Sequence, residues 1–247
     1  MSETAPASQA ASERMEDSVA FAYRSIREDI LTGRLEPGAM ISQVGLARAL
    51  GISRTPLREA LRQLSAESLI VGDFNRRMRV SELDLSDFDQ IYAARIALEP
   101  VGIAATVPLL DNSQKQSLRD SVAGMDDAMA GFDMETFRAH HRAFHLGLTA
   151  LAGPRIERIL AELWDHSERY RLSYLHVDHD QPQSASRARL EVSQDEHRDI
   201  LAAAIGGDGD RCAVAIVAHL QRTLEGVFLE AEEIPRPRLG RQALRVH

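Results

Sequence analysis

The fold of the N-terminal part of the chain is decided by one stretch, Gly51-Ile52-Ser53-Arg54-Thr55-Pro56-Leu57-Arg58-Glu59-Ala60-Leu61. It follows a short helical pattern across a glycine turn and opens a second helix with polar capping residues and a proline, which the first helical turn tolerates. Arg54 and Arg58 lie four residues apart on the solvent side of that helix, opposite an apolar face. A helix, a turn and a second helix with a basic N-terminal end form the geometry that places side chains in a DNA major groove. The stretch therefore predicts a helix-turn-helix that reads DNA.

The flanking sequence completes a small domain around this motif. An amphipathic helical pattern covers residues 19–31, and two short strand patterns, residues 69–71 and 78–80, surround a turn. Three helices and this hairpin predict a winged helix-turn-helix over residues 18–80.

Charge is distributed unevenly along the 247 residues, whose formal net charge is −8. Residues 18–80 contain ten Arg against six Asp and Glu, whereas residues 81–247 contain eighteen Lys and Arg against twenty-seven Asp and Glu. A basic module joined to an acidic one is typical of a DNA-binding domain followed by a regulatory domain. No secretory signal and no apolar run of about 20 residues is evident, and the single Cys212 suits a reducing compartment. These features predict a cytoplasmic protein with no membrane partner.

The rest of the chain predicts an all-α antiparallel helical bundle over residues 85–232, because six segments with helical periodicity are separated by short turn signals. Residues 81–86 form a polar connector. Residues 1–17 lack periodicity and are predicted to be a disordered tail, and residues 233–247 a poorly ordered one. The predicted fold class is mostly α, a winged helix-turn-helix plus a helical bundle.

The N-terminal motif resembles the DNA-binding domain of the GntR superfamily of bacterial transcription regulators. The resemblance includes Leu35-Glu36-Pro37-Gly38 and Leu46-Ala47 as well as residues 51–61. It implies DNA contacts by Arg54, Thr55 and Arg58, with Ser53 and Pro56 as backbone neighbours. The family usually has a glycine at the tip of the wing, where this chain has Arg77 after Asn75 and Arg76. These two arginines either enter a narrow minor groove or form a solvated run of charge.

Four histidines lie on apolar helix faces of the second half. His141 and His145 are four residues apart, and His197 and His219 follow on two other helices. Neutral imidazole is a good ligand for a transition metal, and an i,i+4 pair with two single ligands can close around one ion. The alternative is four core histidines bonded to backbone carbonyls. Four other histidines, His140, His166, His176 and His179, do not share the pattern and are predicted to lie at the surface.

The histidine segments resemble the FCD effector domain of the FadR-like branch of GntR proteins. The matching segments are His141-Arg142-Ala143-Phe144-His145, Asp195-Glu196-His197 and Ala218-His219-Leu220. That resemblance implies a divalent metal, held in the family by an Asp and three His. Because His141 stands at the Asp position, an all-His site would favour Zn or Ni. Arg95 matches a family Arg near the effector cavity, which implies a clamp on a carboxylate; its alternative is an ion pair with Glu99.

Together these features predict a transcription regulator, more often a repressor in this family, that binds a palindromic double-stranded DNA operator as a homodimer. A small organic acid bound at the metal would control operator affinity. Two alternatives remain open at this point: the metal itself is the effector, or the protein is a metal-dependent enzyme. We expect no enzymatic activity, because no carboxylate has a spacing to the histidines that indicates a general base, although Asp195 and Glu196 are near His197.

Overall fold

The computed structural model describes residues 5–73, 77–176, 183–231 and 237–246. The chain divides into two compact units, residues 1–83 and 84–247. The boundary between them lies within the polar connector predicted over residues 81–86.

The first unit is a winged helix-turn-helix. Its elements in chain order are α1 (Ala5–Leu31), β1 (Met40–Ile41), α2 (Gln43–Leu50), α3 (Arg54–Ala66), β2 (Ile70–Gly72) and β3 (Met78–Val80). The strands form an antiparallel sheet in the order β1-β3-β2, in which Met40 is opposite Arg79 and Ile70 is opposite Val80. Ile26, Ile30, Leu57 and Leu61 pack beneath the sheet in one apolar core.

The helix α1 differs from the prediction at its N-terminal side. Residues 1–17 were expected to be disordered, but the backbone is helical from Ala5 onward. The segment is rich in Ala and Glu, which are strong helix formers, so helix propensity extends the amphipathic helix where the apolar pattern has already stopped.

The second unit is entirely helical in its described residues. Its α-helices are α4 (Leu85–Thr106), α5 (Asn112–Gly131), α6 (Met134–Gly147), α7 (Pro154–Arg171), α8 (Gln183–Ile205), α9 (Gly209–Glu230) and α10 (Leu239–Leu244). Aspartate caps explain several of the starts, because the side chains of Asp84, Asp111, Asp133 and Asp208 each accept a hydrogen bond from a backbone amide of the first turn. The central helix α4 packs against α7 and α9, while α5 packs against α6 and α8. A π-helical turn, Leu172–His176, extends α7.

By length and composition alone, α9 could cross a membrane, with a mean hydropathy of 1.3 over its most apolar window. In the structure it is a bundle helix: Cys212, Ile216, Leu220 and Leu224 are buried against its neighbours. Its apolar composition is therefore that of a core helix.

The C-terminal tail is more ordered than predicted. Helix α10 packs against α4, and both oxygens of the buried Asp89 carboxylate accept hydrogen bonds from the backbone amides of Arg238, Leu239 and Gly240 at 2.8–2.9 Å. The Pro and Arg content of the tail suggests disorder, but the Asp89 carboxylate on α4 caps the start of α10. Asp89 and the start of α10 are about 150 residues apart in the sequence, so no local sequence pattern predicts this contact.

Candidate functional sites: a DNA-reading helix and a buried histidine cluster

The turn before α3 is set by Gly51. This residue has a φ of +66° and closes α2, with its amide donating toward the carbonyls of Ala47 and Arg48. The left-handed backbone conformation at this position favours glycine, and it redirects the chain into α3. Leu57, Leu61 and Leu64 are fully buried on the inner face of α3, so the opposite face is presented to solvent.

The exposed N-terminal end of α3 carries the predicted DNA-binding residues. Ser53, Arg54 and Thr55 are exposed, Arg58 is half-buried, and Pro56 is buried. Ser53 occupies the N-cap position, but its hydroxyl makes no capping hydrogen bond. The first amides of a helix have no partner within the helix, so this end of α3 offers donors as well as arginines to a phosphate. Pro56 has no amide and supports the helix by packing.

The wing contributes a smaller set of described residues. Arg77 is exposed, and Arg79 is exposed and pairs with Glu82 at 3.4 Å; Arg76 lies outside the described residues. Gly72 has a φ of +119°, and a Cβ there would lie 2.3 Å from the carbonyl oxygen of Arg77. The wing therefore depends on a glycine at the base of the turn rather than at its tip.

The four predicted histidines meet in the interior of the second unit. His141 and His145 come from α6, His197 from α8 and His219 from α9. One nitrogen from each lies within 4.8 Å of one nitrogen from every other, and all four residues are at most 4% exposed. The spacing and burial are those of a set of metal ligands.

Two of these rings are oriented by residues on α8. The Nδ1 atom of His219 lies 2.7 Å from a Glu196 carboxylate oxygen, and His197 Nδ1 lies 3.1 Å from Gln194 Oε1. The Gln194 amide nitrogen donates to the carbonyl of Val122, so its oxygen faces His197 as an acceptor. Both Nδ1 atoms therefore donate, and both Nε2 atoms keep a lone pair.

Burial keeps the four imidazoles neutral. It lowers the pKa of His141, His197 and His219 well below the ordinary value, and that effect is increased by neighbouring positive groups, including Arg171. Burial also lowers the pKa of His145, although Glu99 opposes the shift. Neutral imidazole is the form that ligates a metal.

Two ring nitrogens of the cluster, His141 Nε2 and His145 Nδ1, are buried without a hydrogen-bond partner. A buried polar atom without a partner is costly, and a bound ion is one way to satisfy it. The donor set fits a transition metal that accepts nitrogen ligands.

Arg95 lies in a buried network next to the cluster. Its Nε donates to Glu99 at 2.5 Å and its Nη1 donates to Ser167 at 2.8 Å. Burial raises the pKa of Glu99, but Arg95 and His145 outweigh burial and hold that pKa at about 2. The Arg95–Glu99 ion pair, which is the alternative to a clamp on a ligand carboxylate, is thus present.

Comparison with known proteins gives a match for each of the two units. Residues 19–80 match the bacterial regulatory proteins of the gntR family, and residues 90–222 match the FCD domain. An HTH-type transcriptional regulator from an unstable DNA locus of Streptomyces ambofaciens is 30% identical over 211 residues, 83% of each chain. The chain belongs to the GntR family of bacterial regulators.

Other relatives of this GntR protein are named as repressors. A probable D-xylose utilization operon transcriptional repressor of Paenarthrobacter nicotinovorans is 28% identical and covers 78% of this chain and 80% of its own. The repressor GlaR of Escherichia coli is 26% identical over 80% of this chain and 90% of its own. Because the GntR family is one of transcription regulators, this protein is a DNA-binding transcription regulator and not an enzyme.

The fold is shared with a solved structure, Escherichia coli McbR/YncC, with a TM-score of 0.76 and 23% identity, covering 87% of this chain and 99% of that one. The resemblance to the GntR superfamily and to the FCD domain is confirmed, as is the mostly helical fold class.

Sequence reasoning missed several residues of the histidine site. Arg171, buried on α7, contacts His141 and pairs with the buried Glu168, and Gln194 orients His197. The sequence alone gives no clear signal for them, because positions 164, 167, 168 and 171 form one face of α7 that contains charged and polar residues, and only the structure shows that this face is buried. Among the other histidines with described side chains, His140 and His166 are half-buried rather than exposed; the side chains of His176 and His179 lie outside the described part of the chain.

Proposed function

We propose that this GntR protein is a repressor whose affinity for its operator is controlled by a small carboxylate effector, bound at a metal held by the four histidines. The observation that carries the proposal is the convergence of four buried imidazoles in a unit joined to a DNA-reading domain. Relatives named as repressors support the direction of regulation. DNA as the partner supports a cytoplasmic location.

In this proposal the exposed end of α3 reads the operator. Arg54 and Arg58 pair with guanine edges or phosphates, Thr55 and Ser53 donate to phosphates, Pro56 fixes the backbone, and Arg76 and Arg77 of the wing reach a minor groove. The Arg54→Ala/Arg58→Ala variant tests this assignment in a gel-retardation assay on genomic fragments that the protein captures.

We expect this variant to lose at least about tenfold in affinity, since one bidentate arginine–guanine pair contributes about 1–3 kcal/mol. Arg62→Ala is the matched control, because Arg62 lies on the same helix two turns from Arg54 and pairs with Glu59. Equal retardation by the wild type and the double variant would overturn the assignment.

The ligands of the metal would be His141, His145, His197 and His219. An all-imidazole set favours Zn or Ni, and the bound ion would supply a positive charge that attracts a carboxylate. Elemental analysis of the purified protein, before and after incubation with Zn²⁺ or Ni²⁺, tests this part. Absence of metal in both samples would contradict the metal site and leave the four histidines as residues of the core.

Arg95 is the proposed clamp for the effector. Its guanidinium is buried and held by Glu99 and Ser167, so a carboxylate would share or replace the Glu99 contact.

We also propose a homodimer, since a palindromic operator requires two copies of α3. The outward face of α4 and of the short helical turn that follows it, Val107–Leu109, supports this. From Ile91 to Leu110 the only charged residues are Arg95 and Glu99, and both are buried, whereas Val101 and Leu109 are 55% and 68% exposed. A twofold contact places a surface against its own copy, so an uncharged face suits it.

Light scattering tests the dimer, with Val101→Glu expected to shift the protein toward the monomer because it would place two carboxylates close together. Lys115→Glu, on another helix, is the control. A monomeric wild type, or a dimer that Val101→Glu leaves intact, would contradict this surface.

A second candidate makes the metal itself the effector. It is favoured by the count of ligands, because four histidines complete a tetrahedral site without a position for an acid. Release of DNA by Zn²⁺ or Ni²⁺ alone would select this candidate over the first.

A further inference from the structure

His141 differs from the other histidines of the cluster in what faces its ring. The Nη1 atom of Arg171, on α7, lies 2.8 Å from His141 Nδ1 and 2.9 Å from a Glu168 carboxylate oxygen. Arg171 and Glu168 are 6% and 5% exposed, so the three groups interact away from solvent.

This contact fixes the proton on His141. A guanidinium has only donors, so His141 Nδ1 must accept the hydrogen bond. The neutral ring then carries its hydrogen on Nε2, which is buried without a partner. His197 and His219 have the opposite arrangement, with Nδ1 facing an acceptor and Nε2 holding a lone pair.

A metal ligand needs a lone pair directed at the ion. In the observed arrangement His141 offers none, because Nε2 bears the hydrogen and Nδ1 is covered by Arg171. Either nitrogen becomes available only when the Arg171–His141 hydrogen bond is broken. Arg171 can leave without becoming isolated, since it keeps Glu168 as an ion-pair partner.

We propose that Arg171 is a positioning residue that regulates metal binding, by holding His141 in a form that cannot ligate until the guanidinium moves away. This inference rests on the proposed metal site. It also links the metal and the acid: the movement that frees His141 releases one N–H group of the Arg171 guanidinium, which otherwise stays paired with Glu168, so the metal-bound protein gains a donor for an acid. Metal and acid would then bind with positive coupling.

The test compares Zn²⁺ affinity, measured by calorimetry against a competing chelator, in the wild type and in Arg171→Met/Glu168→Gln. This variant removes an ion pair, so the net charge near the cluster is unchanged. The matched control is Arg142→Met/Asp165→Asn, which removes another ion pair between α6 and α7, at 2.6 Å, that makes no hydrogen bond to a cluster histidine.

We expect Arg171→Met/Glu168→Gln to bind Zn²⁺ about 10- to 100-fold more tightly than the wild type, the range for a hydrogen bond to a charged group, and the control to be unchanged. Equal or weaker binding by Arg171→Met/Glu168→Gln would overturn the role of Arg171 while leaving the metal site intact. Failure of every protein to bind Zn²⁺ would overturn the metal site itself.

A measurement on the wild type avoids any variant that fails to fold. Long-range ¹H–¹⁵N spectra of the metal-free protein should show His141 protonated on Nε2, and His197 and His219 protonated on Nδ1. Binding of Zn²⁺ should change the His141 pattern. A metal-free His141 protonated on Nδ1 would overturn the proposal.

Discussion

Replacing Glu196 by alanine should weaken metal binding without removing a ligand. Glu196 has a side chain that is 12% exposed, and its carboxylate accepts the Nδ1 hydrogen of His219 at 2.7 Å while the second oxygen pairs with Arg222. The carboxylate holds His219 with Nε2 toward the cluster and increases the basicity of that nitrogen. Loss of such a second partner typically lowers metal affinity by about 10- to 100-fold, or about 1.4 to 2.7 kcal/mol.

The assay is a competition titration of Zn²⁺ between the protein and a chelator of known affinity. Asp195→Ala is the matched control, because Asp195 is the adjacent acidic residue on α8 but pairs with Arg198 at the surface, at 2.6 Å. We expect the control to match the wild type. Equal Zn²⁺ affinity for the two variants would refute the argument that His219 depends on Glu196.

Two further predictions concern stability. Burial lowers the pKa of the cluster histidines below the value of about 6.5 that they have in the unfolded chain. Below that pH the unfolded chain therefore binds more protons than the folded protein. The stabilisation by neutral histidines is thus complete above about pH 6.5 and is lost as the pH falls further. Urea unfolding of metal-free protein at pH 6.5 and 5.5 should show a drop in the free energy of unfolding of about 1 kcal/mol per neutral histidine, whereas a flat profile would contradict their burial in neutral form. Asp89→Ala should release α10, because it removes three hydrogen bonds to the backbone amides at the start of that helix. Limited trypsin digestion would detect the release as faster cleavage at Arg241, and the control Gln90→Ala should be cleaved at the wild-type rate. Equal cleavage rates for the two variants would argue against the capping role of Asp89.

The recognition helix could be predicted because its signals are local. Gly51 ends one helix, and the spacing of Leu57, Leu61 and Leu64 selects the buried face of the next. The strand β1 was missed because two residues, Met40 and Ile41, are too short for any alternating pattern, and they become a strand only by pairing with β3. The tail was misjudged for a similar reason, since its order depends on Asp89.

The histidine cluster was predictable for a different reason. Each of the four residues lies on the apolar face of a helix, and such faces must meet in a bundle core. The partners of the rings were not predictable in the same way. Arg171 and Glu168 are charged residues on a buried face, and the sequence does not reveal whether such residues face a core or solvent until the neighbouring helices are placed.

Control of the DNA-binding domain by the histidine site is tested most directly by the response of operator binding to small organic acids. Fluorescence anisotropy would measure the affinity of Zn²⁺-loaded protein for a captured genomic fragment, with and without each acid of a panel. We expect at least one acid to change operator affinity by about 5- to 150-fold in the wild type, and His145→Ala/His219→Ala to bind the same DNA without responding. An equal response in both proteins, or no response to metal or acid in the wild type, would contradict control by the histidine site.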